Sequence, residues 1–363
     1  MKQHISLLFF VLLAACASAP AVNPTVTLNA VIIPDTPTPS ATPPPTATRT
    51  TEQALYPYMI EGLRKHKFQS GKIVIRETLL VTEIFTRYLI EYPSDGLVIT
   101  GILQVPTTGE PPYPVIVMNH GFFSRTVYAS GDGTDRAAEF LNRRGYLTVS
   151  SDYRSWANAE TGVSLYYSGL AIDVINLMNA LPSLSEADSE HIGMWGHSMG
   201  GGVTLKVLTM DSRIKAAVLY SSVSADFTDV IGRWGPGCLG DVYEGELAYG
   251  CNSSDILPLT LPDDLIASYF NSVTDPAMLQ AVSPFYHLDL VTAPVQIVYG
   301  TDDGKTSAGT PPEWSKKMYK GFIEAGKDAQ LFGHAGEEHS FFADEWFAFM
   351  ERSSQFFDKY VKP

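Results

Sequence analysis

The sequence predicts an α/β fold with a mostly parallel sheet, helices on both faces and a lid insertion. Three observations carry this prediction. Strand and helix patterns alternate along most of the chain. Residues 115–118 are apolar at every position, as a central parallel strand should be. A glycine-rich pentapeptide, residues 196–200, lies between a short strand pattern and a helix pattern.

The first elements are predicted to be antiparallel. After a short entry helix within residues 55–70, three segments alternate in a β manner, namely 72–76, 85–92 and 97–103. The turn formers Pro93, Ser94, Asp95 and Gly96 join the last two segments as a hairpin. These strands are therefore expected at one edge of the sheet.

The rest of the chain predicts strands that are connected through helices. Strands are expected at 115–118, 147–150, 191–195, 216–220, 295–299 and 329–332. Helices are expected at 135–144, which Gly145 ends, and at 168–181, 201–208, 314–325 and 346–360. Strands connected in this way pair in parallel.

Residues 222–284 interrupt the alternation. The segment contains two cysteines and many aromatic residues. Insertions at the carboxyl ends of parallel strands lie over the ligand crevice in this architecture. We therefore interpret residues 222–284 as a lid that shapes a substrate pocket, with a surface insertion as the alternative.

Ser198 stands at the centre of Gly196-His197-Ser198-Met199-Gly200. This pentapeptide fits G-x-S-x-G, the nucleophile elbow of α/β-hydrolases, and its strand–turn–helix context is the one that the motif requires. Small residues flank the serine because the backbone turns sharply there. The turn exposes the hydroxyl and directs the start of a helix at the reaction centre.

A serine hydroxyl is a weak nucleophile at neutral pH, so it needs a base and a carboxylate that orients the base. In this fold the partners follow in the order acid, then histidine. Asp303, after the strand 295–299, is predicted as the acid in preference to Asp302. His339 is predicted as the base in preference to His334, which stands nearer the end of the last strand.

Two backbone N–H groups are predicted to form the oxyanion hole. One belongs to Met199, directly after the nucleophile. The other belongs to Phe122, in the loop that follows the strand 115–118. His197 is expected to pack beneath the turn, because it cannot easily reach round the elbow.

The N-terminus carries the pattern of an exported protein. Residues 1–15 read as a signal peptide, with Lys2 and His4 before an apolar run that is too short for a normal membrane span. The sequence Leu-Ala-Ala-Cys at 13–16 resembles a bacterial lipobox and implies lipidation of Cys16. An ordinary secretory signal cut nearby is the alternative. Residues 16–54, rich in Pro and Thr, are expected to be a solvated tether.

Net charge and cysteine content limit the ligands that the chain is expected to bind. The 363 residues carry a formal net charge of -14, which disfavours nucleic acid as a ligand. Cys238 and Cys251 lie in one glycine-rich region, and an exported location permits a disulfide, so the two are expected to pair, with two free thiols as the alternative. No Cys/His cluster surrounds them, so neither is expected to bind a metal, and no metal cluster appears elsewhere in the sequence.

From Asp95 to the C-terminus the chain resembles the catalytic domain of the prolyl-oligopeptidase family of serine hydrolases, in its dipeptidyl-peptidase and acylaminoacyl-peptidase group. The matching pieces are 95–96 with 101–106, 120–121, 151–154, 196–201, 283–284, 300–303 and 336–341. Members that cleave peptides usually carry a large N-terminal β-propeller, and the residues ahead of Asp95 are too few for one.

The resemblance implies a serine hydrolase that needs no cofactor and takes a small ester or a short peptide as substrate. The N-terminal pattern adds an extracytoplasmic location, and the pass along the chain places the catalytic domain at 55–363. A carboxylesterase that acts on feruloyl or acyl esters is the alternative. A non-catalytic binding protein on the same fold is a further one. The lipid anchor would hold any of these at the bacterial cell envelope.

Overall fold

The computed structural model describes residues 49–125, 127–235, 247–248, 251–252 and 262–363, with only the backbone described at 247–248 and 251–252. The predicted signal peptide, Cys16 and most of the tether lie outside these residues, as does Cys238. The predicted disulfide with Cys251 therefore stays a prediction. Within the described ranges, no helix has the length and apolarity needed to span a bilayer.

The strands are β1 (Val74–Val81), β2 (Phe85–Ser94), β3 (Leu97–Pro106), β4 (Tyr113–Asn119), β5 (Leu147–Ser151), β6 (Ala187–His197), β7 (Ile214–Tyr220), β8 (Leu247–Ala248), β9 (Cys251–Asn252), β10 (Val295–Gly300) and β11 (Ala329–His334). Within the described residues, nine of them form the main sheet, in the order β1-β2-β3-β5-β4-β6-β7-β10-β11. A separate two-stranded ribbon pairs β8 with β9.

The predicted antiparallel edge is confirmed. Strands β1, β2 and β3 pair antiparallel in sequence order, and β3 also pairs antiparallel with β5. Asp95 and Gly96 form the hairpin turn with φ angles of 50° and 82°. Asparagine, aspartate and glycine tolerate this left-handed region best, which explains the residue pair at this turn.

The remaining strands of the sheet are parallel, as the alternation predicts. Strands β5 and β10 are buried along their whole length, and β4 is nearly so. Strands covered on both faces need apolar residues on both faces, which is why their sequences show no polar alternation.

Helices cover both faces of the sheet. The helices of the described residues are α1 (Thr51–Leu55), α2 (Ile60–Arg64), α3 (Asp135–Asn142), α4 (Ser168–Ala180), α5 (Met199–Met210), α6 (Phe227–Trp234), α7 (Asp263–Ser272), α8 (Pro276–Val282), α9 (Pro312–Glu324) and α10 (Ala343–Tyr360). One apolar cluster joins Val115 and Val117 of β4 to the layer that contains α4 and α5, and a second joins Ile116 and Met118 to α3 and α10.

The predicted insertion lies between β7 and β10 and contributes α6, the β8–β9 ribbon, α7 and α8. Its helix α6 contacts the loop after β10. The indole Nε1 of Trp234 donates to the carbonyl of Ser307 at 2.6 Å, and Arg233 donates to the carbonyl of Thr306 at 2.7 Å. The described part of the insertion therefore lies beside the loop that contains Asp303.

Candidate active site

Ser198 occupies the single residue between β6 and α5. Its φ of 55° and ψ of -121° place a non-glycine residue in a strained region of backbone space. Its N–H donates to the carbonyl of Tyr220 at 3.0 Å, and its carbonyl accepts from the N–H of Val223 at 3.1 Å. Hydrogen bonds to the segment from Tyr220 to Val223 of the same chain thus hold the strained turn in place.

The two flanking glycines are required by close backbone approaches. A Cβ at Gly196 would lie 2.4 Å from the carbonyl oxygen of Gly200. A Cβ at Gly200 would lie 2.0 Å from the carbonyl oxygen of Asn119. No side chain fits at such distances, so the sequence pattern follows from the geometry of the turn.

The loop after β4 lies directly against the elbow. A Cβ at Gly121 would lie 3.2 Å from the Cβ of Ser198, and Phe122 is the next residue in the chain. Met199 opens α5, so its N–H has no acceptor within the helix. Both predicted oxyanion donors therefore stand on segments that adjoin Ser198.

His339 and Asp303 are in direct contact. The Nδ1 atom of His339 lies 3.1 Å from Oδ2 and 3.2 Å from Oδ1 of Asp303. Asp303 is buried, and Thr310 also donates to it, from its N–H to Oδ1 and from its hydroxyl to Oδ2, both at 2.8 Å. A carboxylate with this many donors is fixed in orientation.

Burial of the Asp303 carboxyl acts to raise its pKa, but the hydrogen bonds from His339 and Thr310 and the charge of His339 outweigh it. The pKa of Asp303 is therefore lowered, and the group stays ionised at neutral pH. An ionised acceptor at Nδ1 keeps the proton of a neutral His339 on that nitrogen, which leaves Nε2 free to accept a proton.

Asp302 and His334, the alternatives for the acid and the base, have other partners. Asp302 forms an ion pair with Lys305 near the surface. The Nδ1 of His334 lies 2.6 Å from Glu345, and its Nε2 lies 3.1 Å from Arg352. The structure thus brings Asp303 to His339 and leaves Asp302 and His334 outside this pair.

His197 packs against His339, a contact that the sequence reasoning did not foresee. The two ring centroids are 4.8 Å apart, and Nε2 of His197 donates to the backbone carbonyl of His339 at 3.0 Å. Burial, and then the nearby charge of His339, lower the pKa of His197 to about 3. A neutral His197 therefore supports the backbone of His339 from the residue that precedes Ser198.

His197, the residue before Ser198, thus links the elbow to the loop that contains His339. Among the described residues, the hydroxyl of Ser198 makes no hydrogen bond to His339. Catalytic hydrogen bonds are often long in proteins without substrate and shorten when it binds. Thr310 is another residue that sequence reasoning missed, since no local pattern marks a threonine that a loop folds back onto a carboxylate.

The family model that matches this chain is BD-FAE, over residues 103–319. That range is more than half of the chain. The chain belongs to the BD-FAE family. The matched range includes Phe122, Ser198 and Asp303, whereas His339 lies beyond it. The described part of this BD-FAE chain contains no group of three or more His, Cys, Asp or Glu side chains placed to hold a metal ion.

Solved structures with a similar fold include both esterases and peptidases. An acetyl xylan esterase from Paenibacillus sp. R4 has a TM-score of 0.59 and 16% identity, covering 87% of this chain and 97% of that one. A putative dipeptidyl aminopeptidase IV from Bacteroides ovatus ATCC 8483 has a TM-score of 0.58 and 17% identity, covering 77% of this chain and 36% of that one. These similarities establish the α/β-hydrolase fold.

The curated relatives match shorter stretches. An uncharacterized 31.7 kDa protein of the traX-finO intergenic region of Escherichia coli is 28% identical over 127 residues, which are 34% of this chain and 42% of the relative. The lysophosphatidylserine lipase ABHD12 of Xenopus tropicalis is 30% identical over 96 residues, 26% of this chain and 23% of the relative. The chain thus spans less than half the length of these relatives.

Proposed function

We propose that the protein is a serine hydrolase that cleaves ester or peptide bonds through a covalent acyl-enzyme. The observation that supports this most directly is the His339–Asp303 pair, which lies beside the strained elbow at Ser198. A histidine oriented by a buried carboxylate, next to a serine in this backbone conformation, is the arrangement that activates a hydroxyl.

In the first half-reaction the hydroxyl oxygen of Ser198 attacks the substrate carbonyl. Nε2 of His339 accepts the hydroxyl proton and then gives it to the departing alcohol or amine. Asp303 stabilises the imidazolium that forms between these transfers. The N–H groups of Met199 and Phe122 donate to the oxyanion, whose negative charge exists only in the tetrahedral intermediate.

In the second half-reaction water attacks the acyl group on Ser198. His339 accepts a proton from this water, and the serine oxygen leaves with a proton returned from His339. The acid product is released, and the free enzyme is restored with Asp303 still ionised.

A carboxylesterase without peptidase activity is the second candidate. The acetyl xylan esterase from Paenibacillus sp. R4 is matched over 97% of its length, whereas the peptidase from Bacteroides ovatus is matched over 36%. An esterase of this size therefore offers the fuller template for this chain, and that likeness supports the proposal of an ester substrate. A non-catalytic binding protein is disfavoured by the intact acid–histidine pair.

One paired assay separates the two candidates. The purified protein is given a p-nitrophenyl acyl ester and an aminoacyl p-nitroanilide, with Ser198→Ala as the control. Ester turnover alone supports the carboxylesterase, and comparable anilide turnover supports a peptidase. Equal activity of Ser198→Ala on either substrate would contradict the mechanism.

Location at the cell envelope is part of the same proposal and rests on the sequence of residues 1–16. Lipidation of Cys16 would anchor the protein, and residues 17–48 would hold the catalytic domain away from the membrane. The predicted tether is shortened at its end because Thr51–Leu55 forms α1, with Ala54 buried, and Arg49 pairs with Asp264. The test is partition of the expressed protein into detergent. The wild type is expected in the detergent phase, and Cys16→Ala in the aqueous phase.

A further inference from the structure

A cavity of about 210 Å³ lies behind the candidate catalytic histidine. Its walls come from the start of α3, the loop after β4, the ends of β6 and β7, the segment after His339 and the first turns of α10. Neither Ser198 nor His339 lines it. The lining side chains are mostly aromatic and include Phe123, Trp195, Tyr220, Phe341, Phe342 and Trp346.

Trp195, which lines the cavity, carries a buried donor that is unsatisfied. The residue is 2% exposed, and its indole Nε1 has no hydrogen-bond partner among the described residues. A buried N–H without an acceptor costs about 1–3 kcal/mol. Tyr220 accepts the N–H of Phe341 at its hydroxyl, so its own proton is a second donor available to an occupant.

Arg136 adds a positive charge to the same wall. Its guanidinium stacks on Trp346 at 3.7 Å, and no carboxylate of the described residues forms an ion pair with it. Among the described residues its side-chain hydrogen bond goes to the carbonyl of Phe341 and is long, at 3.4 Å. Asp135 also lines the cavity, and its carboxylate accepts the backbone N–H of Arg136 at 2.8 Å. The guanidinium of Arg136 is therefore the unpaired charge that a hydrogen-bond acceptor on an occupant would contact.

The size of the cavity sets the size of the occupant. An apolar cavity of about 150 Å³ holds one benzene molecule, so about 210 Å³ has room for one ring with a small substituent. Aromatic walls favour the ring, and the donors of Trp195, Tyr220 and Arg136 favour an anionic acceptor on it.

We propose that this cavity is a binding site for a small cyclic carboxylate, separate from the Ser198 site. The occupant would lie against His197 and Ser340, which flank the candidate catalytic residues in sequence. His197 supports His339 through its ring contact and its hydrogen bond. An occupant of the cavity therefore shifts His339 through His197, and it changes kcat more than KM.

The test measures binding without depending on turnover. Full-length Ser198→Ala protein is titrated by calorimetry with benzoate, and with benzyl alcohol and benzylamine as neutral and cationic probes of matched size. Benzoate is expected to bind at least about tenfold more tightly than either, because charge-assisted hydrogen bonds to Arg136 exist only for the anion. Tighter binding of benzylamine would show that Asp135 governs the site and would overturn the proposal.

Two substitutions test the location. Trp195→Phe keeps an aromatic ring and removes the N–H, and Arg136→Gln removes the charge from an exposed position. Each is expected to weaken benzoate by about fivefold or more. Arg143→Gln is the matched control. Arg143 directly follows α3, pairs with Glu139 and does not line the cavity.

A final measurement separates this site from the catalytic one. Wild-type protein that has reacted fully with a fluorophosphonate should still bind benzoate with unchanged affinity. Loss of binding after that reaction would place benzoate at Ser198 and overturn the proposal, as would the absence of benzoate binding to Ser198→Ala. If Ser198 does not react, the function proposed above fails, while the calorimetric result still decides the cavity.

Discussion

The Nδ1 atom of His339 lies 3.1 Å from Oδ2 of Asp303, although the two residues stand 36 positions apart in the chain. The parallel pairing of β10 with β11 accounts for this contact. Asp303 follows β10 and His339 follows β11, so both loops leave the same edge of the sheet. Their meeting is thus a consequence of strand direction.

Replacement of the acid should separate Asp303 from Asp302. Asp303→Asn removes the charge that orients His339, and we expect kcat to fall by about a thousandfold or more. Asp302→Asn removes only an ion pair with Lys305 near the surface and should leave kcat close to that of the wild type. The measurement is kcat for a p-nitrophenyl ester. The reverse ranking would assign the acid to Asp302.

His334, which ends β11, and His339, in the loop after β11, should respond differently to substitution. His339→Gln is expected to abolish ester turnover. His334→Gln should retain turnover but lose about 1–3 kcal/mol of unfolding free energy, because the buried ring contacts Glu345 and Arg352. Initial rates and urea unfolding of both variants give the comparison. Loss of turnover in His334→Gln with unchanged stability would reverse the assignment.

Much of this arrangement follows from the sequence. The strand after residue 294 and the helix after the elbow have strong apolar patterns, and the G-x-S-x-G motif marks Ser198 directly. The sequence predicts the first strand at 72–76, whereas β1 spans Val74–Val81; the bounds differ because its side chains are exposed throughout and show no burial pattern. The contacts of Thr310 with Asp303 and of His197 with His339 depend on how separate loops pack together. No local sequence pattern therefore predicts them.

The buried His120 should make stability fall in acid. Burial lowers its pKa to about 4, against an ordinary value of 6.5, although hydrogen bonds to the carbonyls of Gly121 and Asp152 act to raise it. Above pH 6.5 the folded and unfolded forms are both neutral here. As the pH falls below 6.5 only the unfolded form takes up the proton, so stability is lost until the pH reaches about 4.

Between pH 7.5 and 5.5 this one residue should lower the unfolding free energy by about 1.4 kcal/mol. Urea unfolding of the wild type and of His120→Asn at both pH values measures the difference. The variant should lose less stability than the wild type by about that amount. Equal losses in the two proteins would mean that folded His120 accepts the proton.

A methyl group at Gly121 should disturb the elbow. The new Cβ would lie 3.2 Å from the Cβ of Ser198, which is tighter than ordinary packing, and 3.5 Å from the carbonyl oxygen of His197, which is an ordinary contact. We expect Gly121→Ala to lower kcat by about tenfold or more through displacement of the loop that contains Phe122. Gly232→Ala is the control, since its Cβ would meet nothing within 4 Å. Wild-type kcat in Gly121→Ala would show that the loop tolerates the shift.

The most direct test of the account is covalent labelling of Ser198. The purified protein is incubated with a fluorophosphonate, and intact-mass and peptide mass spectrometry locate the adduct. We expect one adduct per chain, on Ser198, with loss of ester turnover in proportion to labelling and no adduct on Ser198→Ala. Labelling at another residue, or turnover that persists in the fully labelled protein, would contradict it.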